Sequence, residues 1–327
     1  MPTLNMTDQL TALELARRAN APEPYKIIEL MRLKNEMLID IPAYECNSGT
    51  IHKTTQREIG PMGEHRIYNQ GVSAVATQTK GIEDHTTMLG AYSRVDEALL
   101  QHSGNRNAVR QSEAVGIIKG MGLTQAEACI NADKNKVFEF NGLKLRRDKV
   151  DNKYVISAGG TGSELTSVYI IAVGPDLFHF LYPQGSKSVG VDRQDLGVQH
   201  LPDANDPKKA LPMAVEYFTA QYGLCVRDPS ALIRICNISK DITGGKLVEL
   251  IIEASYKLPQ GATTYAMYSN DSILIKLDKA ASDKSNVVHT REDPWGKPIT
   301  HVRGIRCRQM DVIKNDESVV EDAEETK

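Results

Sequence analysis

Apolar residues along this chain follow three regimes, and each predicts a different kind of element. Val168 to Pro183 and Tyr222 to Ser239 are nearly continuous runs of β-branched, aromatic and aliphatic residues, the pattern of strands buried on both faces. Between them, Gln184 to Gly197 is polar and reads as a loop. Helical spacing marks Thr7–Arg18, Tyr25–Ile39, Ser93–Leu100, Ala108–Lys119, Gly245–Tyr256 and Ser272–Ser282. Gly120 and Gly122 are expected to end the fourth of these, with a capping box at Thr124–Glu127 starting a further helix to about Asn131. Phe138 to Arg147 predicts two short strands turning at Asn141-Gly142, followed by strands at Tyr154–Ser157 and Thr300–Ile313.

The third regime is polar. From Ile41 to Thr79, prolines and glycines punctuate short β-prone pieces with many charges and few large apolar groups. A connection of that length is too long for an ordinary loop. It predicts an extended, charged β-hairpin whose edges Lys53, Arg57, Glu58, Glu64 and Arg66 protect from indiscriminate pairing. Asn315 to Lys327 is acidic and poor in apolar residues, and predicts a frayed tail.

The 327 residues, with 41% hydrophobic and 25% charged, suffice for a sizeable core and two lobes. A net charge of −3, 6% aromatics and a single Trp, Trp295, supply neither a basic face nor a stacking platform for nucleic acid. No apolar run approaches the roughly 20 residues of a membrane span, and the first residues lack the pattern of a secretion signal. Cys46, Cys129, Cys225, Cys236 and Cys307 form no C-x-x-C and read as buried free thiols, although Cys225 and Cys236 sit in successive strand-like runs that leave a bridge open.

Candidate chemistry is thin. Gly159 to Ser167 is Gly-rich, but Glu164 stands where a phosphate-binding loop needs a Lys. Leu165 takes the third Gly of a dinucleotide fingerprint, so a β-turn is the preferred reading. The eight His residues form neither H-E-x-x-H nor a His/Cys pair at finger spacing, so no metal and no cofactor are expected. His179, between Phe178 and Phe180, faces away from them on strand alternation and reads as a half-exposed strand residue. Ser73 and Ser186 lack a nucleophile elbow, and Asp195 and Asp228 sit in turns. No catalytic residue and no enzymatic activity are expected.

Four blocks carry a resemblance. Leu38 to Pro42 through Asn69-Gln-Gly71, Ile130 to Asp133 with Phe140 to Arg147, Ser167 to Asp176 with Tyr182 to Ser186, Asp195 to Gly197 and Leu224 to Asp228, and Lys284 to Asn286 with Arg303 to Ile313 and Asn315 to Glu317 follow in order. In that order the chain resembles a tailed-bacteriophage major capsid protein of the podophage type, from about Tyr25 to Val320. The resemblance implies an α+β fold of the Hong Kong ninety-seven type, with a peripheral domain, a spine helix, an axial domain, an extended β-hairpin loop and an N-terminal arm. It divides the chain into an arm (1–40), the extended loop (41–79), a peripheral domain with the spine helix (80–157), an axial domain with returning strands (158–314) and an acidic tail (315–327).

The implied function is a head protein that self-assembles through pentamers and hexamers into an icosahedral shell around double-stranded DNA. Its partners would be a portal, a scaffold, a decoration or cement protein and non-specifically contacted DNA, with assembly in the bacterial host cytoplasm. Inter-subunit contacts are expected at Lys53, Arg57, Glu58, Glu64, Arg66, Lys187, Asp192 and Arg193. The alternatives are a cellular nanocompartment shell, a minor head protein, or a small-molecule-binding enzyme using the Gly159–Ser167 loop.

Overall fold

The computed structural model describes residues 37–59, 62–135, 138–186, 191–202, 206, 208–282 and 301–322, with the side chains of 38, 39 and 57–59 left aside. In chain order the elements are α1 (Met37–Asp40), β1 (Ala43–Glu45), β2 (Ile51–Ile59), β3 (Gln78–Asp96), α2 (Glu97–His102), α3 (Arg106–Asn131) and α4 (Leu143–Arg146). They continue with β4 (Val155–Ser157), β5 (Thr166–Val173), β6 (Phe178–Tyr182), β7 (Val191–Pro202), β8 (Ala210–Val226), a 3-10 turn (Pro229–Ala231) and β9 (Leu232–Ile238). The last are α5 (Gly244–Lys257), β10 (Thr264–Ser269), α6 (Asp271–Ser282), β11 (His301–Val302) and β12 (Ile305–Gln309). The expected arm helices before Met37, the Lys284–Asn286 motif and the tail after Asp322 lie outside the described residues.

Among the described residues the chain divides into two compact units, one holding the stretches within 88–126 and 189–221, the other those within 34–87, 127–188 and 222–327. The division groups 189–221 with the helix-bearing stretch 88–126, whereas the sequence assigns that segment to the block 158–314.

The second unit holds the main core. β5 is buried at every position because neighbours cover both its faces and its edges. It pairs antiparallel with β9 and β10, and β10 pairs parallel with β12. Val168, Ile170, Ile233, Ile235 and Met267 from these strands pack against Leu247, Ile251, Ile273 and Leu277 of α5 and α6. Thr243 caps α5, its hydroxyl accepting from the Lys246 N–H at 3.4 Å. In the first unit, β7 and β8 form a long antiparallel hairpin, while Ala114 and Met121 of α3 cluster with Phe218 and Ala220 of β8.

Four helix and turn expectations are corrected. The helix from Arg106 to Asn131 is continuous through Gly120 and Gly122. Thr124 starts no new helix; its hydroxyl donates back to the Gly120 carbonyl one turn earlier at 3.1 Å. Ser93 to Asp96 completes β3 rather than opening a helix. The expected Asn141-Gly142 hairpin is instead a sharp corner into α4. Gly142 is there for close approach: a Cβ would stand 2.5 Å from the Ile130 carbonyl oxygen.

The polar stretch read as a loop becomes β7 from Val191 onward, its mostly exposed side chains explaining why no apolar alternation marks it. The tail does not fray through Asp322. Leu165 and Glu317 exchange backbone hydrogen bonds of 3.1 and 2.9 Å, and the Asn237 side chain bonds both the N–H and the carbonyl of Val320. All five cysteines are free thiols, four of them buried, so Cys225 and Cys236 are not bridged.

Candidate assembly surface

The expected hairpin is built from β2 and β3, in register from Ile51↔His85 to Ile59↔Gln78. An irregularity between Arg57 and Ile59 places Glu58 at a bulge, a device that twists an edge away from further pairing. At its base Asn47 clamps Lys53, accepting from its N–H at 2.8 Å and donating to its carbonyl at 2.7 Å. Lys53 Nζ also pairs with Glu83 at 3.1 Å across the hairpin, between two side chains more than half exposed. Such a pair adds little stability and sets register instead.

The tip differs from expectation in one respect. Every described residue from Met62 to Lys80 is exposed, and among them are Met62 (89%), Ile67 (70%), Tyr68 (92%), Val72 and Val75. These apolar groups are scattered without a period among the charges, so no pattern in the sequence marks them. Glu64 is engaged within the tip, its carboxylate accepting from the Ser73 N–H at 3.2 Å, and Arg66 is exposed. The side chains of Arg57 and Glu58 lie outside what is described, as does Lys187.

The remaining candidates lie on β7. Asp192 is exposed. Arg193 reaches the buried Glu216 carboxylate at 2.6 Å, which Arg110 also contacts while bonding Asp195 at 2.9 Å. The Gly197 N–H, and next the Arg110 guanidinium, hold the Asp195 carboxyl below the usual range. Lys53, Glu64 and Arg66 thus belong to the hairpin, and Asp192 and Arg193 to a separate strand in the first unit.

The Gly159–Ser167 loop serves the fold. The Gly160 N–H donates to the Asn237 carbonyl at 2.8 Å, and Glu164 pairs with Lys240. His179 is buried at 2% exposure rather than half-exposed, edge-on to Tyr44 with ring centroids 5.0 Å apart.

This architecture, a long helix with a β-hairpin arm and a helix-flanked sheet, has counterparts of known identity. The model of the family described as Major capsid protein GP7 matches residues 20–321. The chain belongs to that family. Among solved structures, the near-atomic cryo-EM structure of bacteriophage epsilon15 is similar with a TM-score of 0.76 and 28% identity, covering 98% of this chain and 99% of that one. The capsid of bacteriophage JBD30 decorated with minor capsid protein trimers gives a TM-score of 0.52 at 8% identity, covering 93% and 99%, a likeness of fold alone. No curated protein sequence matches. The fold is therefore the α+β capsid fold of tailed phages, and the chain is a major capsid protein of a tailed bacteriophage. A capsid protein family is a structural one, and the match names the major rather than a minor head protein.

Proposed function

We propose that copies of this chain close, through pentamers and hexamers, into an icosahedral head around double-stranded DNA, and that the chain works by assembly rather than catalysis. The observation that carries the reading is the β2–β3 hairpin, whose tip exposes Met62, Ile67, Tyr68, Val72 and Val75 together with charges. Apolar groups that exposed suit burial against a neighbouring copy, while Lys53, Arg57, Glu58, Glu64 and Arg66 discriminate between registers. Asp192 and Arg193, with Lys187 before them, form a second contact region on the 184–197 segment. The arm 1–40, the loop 41–79, the blocks 80–157 and 158–314 and the tail 315–327 are its working parts.

A scaffold sets curvature, a portal occupies one vertex, and a decoration protein cements the outside. Mild net acidity avoids clamping onto the packaged DNA, since each phosphate contact strengthens non-specific binding. Assembly takes place in the host cytoplasm. Expression with and without scaffold, followed by sedimentation and negative-stain microscopy, is expected to give pentamers, hexamers or closed shells. A strictly monomeric chain at high concentration with scaffold present contradicts the proposal. Reversing charge at Arg57 and Arg66 together is expected to impair assembly while the far-UV spectrum stays native; normal particles from that variant remove those residues from the interface.

A further inference from the structure

At the root of the hairpin, strand register gathers residues that the sequence keeps far apart. His52 on β2 stands directly opposite Asp84 on β3, and His179 on β6 stands directly opposite Cys225 on β8. Directly opposed residues in an antiparallel pair share one face of the sheet. The four strands are neighbours in the order β6, β8, β3, β2. Gly223 lets β8 and β3 close up, since a Cβ there would lie 2.5 Å from the His85 carbonyl oxygen. As a result one ligand atom from each of His52, His179 and Cys225 lies within 4.8 Å of the other two, and the imidazoles stand edge to face with centroids 6.0 Å apart.

The polar atoms at this point are unspent. His52 Nδ1 and His179 Nδ1 are buried without a hydrogen-bond partner, and so is Asp84 Oδ2. Buried polar atoms without partners call for an explanation, and both histidines of the cluster carry one. The Gly174 backbone interacts with the His179 ring, whose Nδ1 has no partner. An imidazole with one nitrogen bonded to a backbone carbonyl and the other free has the outer arrangement of a metal-ligating histidine. Asp84 completes the setting. Arg146 fixes one of its oxygens at 2.8 Å.

We propose that His52 Nδ1, His179 Nδ1 and Cys225 Sγ bind one zinc ion, fastening the root of the β2–β3 hairpin to β6 and β8. Two imidazoles and a thiolate match the mixed nitrogen and sulfur preference of zinc over the harder magnesium or calcium. Zinc bonds of about 2.0–2.3 Å place tetrahedral ligand atoms roughly 3.3–3.6 Å apart, so small side-chain rotations close the observed spacing. Binding forms one Zn–S and two Zn–N bonds, and the thiol proton leaves to solvent. Arg146 and the ion together balance the thiolate and Asp84. Three protein ligands leave a fourth position for water, which half-exposed His52 leaves reachable. The site stands independently of how the shell assembles.

The test uses the full chain, stripped with a chelator and titrated with zinc sulfate and, separately, cobalt(II) chloride. Close to one equivalent of metal per chain is expected, with release of about one proton and a near-ultraviolet thiolate-to-cobalt absorption. Cys225→Ser is expected to abolish that absorption. His52→Ala is expected to weaken binding more than about a hundredfold, beyond the usual effect of losing an outer partner. Cys236→Ser, in another cluster, is expected to bind as the parent does. Binding below a tenth of an equivalent overturns the proposal, as does an unchanged absorption in the Cys225 variant. Should that variant not fold, the parent spectrum and the half-buried His52 position decide, full-strength binding by His52→Ala being the refuting result.

Discussion

At the scale of single residues, the tightest commitment in the chain is Arg234. Its guanidinium is 1% exposed and donates to Ser167 Oγ at 3.0 Å, to the Arg147 carbonyl at 2.7 Å and to Glu317 Oε2 at 2.9 Å. Ser167 donates to the same Glu317 oxygen, and Lys144 Nζ stands 3.3 Å from the other. A buried ion pair contributes little against an apolar replacement, but losing one partner strands the other charge. Glu317→Ala is therefore expected to lower unfolding stability by about 3–5 kcal/mol. Arg234→Met should cost a similar amount, and the double variant Arg234→Met/Glu317→Leu much less than their sum. Urea denaturation of all three measures this, and strict additivity contradicts the coupling. The acidic composition of the tail points to solvent; it gives no hint that a glutamate there neutralises an arginine in a central strand, because the partner lies 83 positions away in sequence.

At the scale of elements, what could be read from the sequence divides by the strength of the hydrophobic period. β5, β9, α5 and α6 were plain because each buries a full face or both faces against the core. β7 was not, because it exposes most of its length and pairs through its backbone. The Asn141-Gly142 turn misled because an Asn-Gly signal reports a permissive backbone, and Gly142 is needed for proximity to the end of α3. Gly120 and Gly122 look like stops in the sequence, yet α3 runs through both. Inside a long helix held by packing, a glycine costs only about 1 kcal/mol relative to alanine, too little to end it. Gly116 and Gly120 have open space around a built Cβ and no positive φ. Gly116→Ala and Gly120→Ala are each expected to stabilise the monomer by about 0.5–1 kcal/mol, read as a rise in melting temperature. A fall in either would mean that a neighbouring surface already fills that space.

At the scale of the whole molecule, a shell multiplies weak contacts, so each must be strong enough to close a particle and weak enough to correct errors. The sequence conveyed this function through the order of its motifs, yet it placed the contact in the charges. The hairpin tip adds what charge patterning could not show: Ile67 and Tyr68 are adjacent and exposed, at 70% and 92%. Burying such side chains on assembly yields roughly 1.5–3 kcal/mol each when complete, and each 1.4 kcal/mol is about a factor of ten in an equilibrium. Ile67→Ser with Tyr68→Ser is thus expected to raise the subunit concentration needed for shell formation at least about tenfold. The monomer melting temperature should stay within error, because neither side chain supports its own fold. Light scattering against concentration, paired with calorimetry of the unassembled subunit, separates the two effects. An unchanged assembly threshold would place the tip in solvent in the shell, and Asp192→Lys at the exposed Asp192 on β7 then becomes the deciding variant.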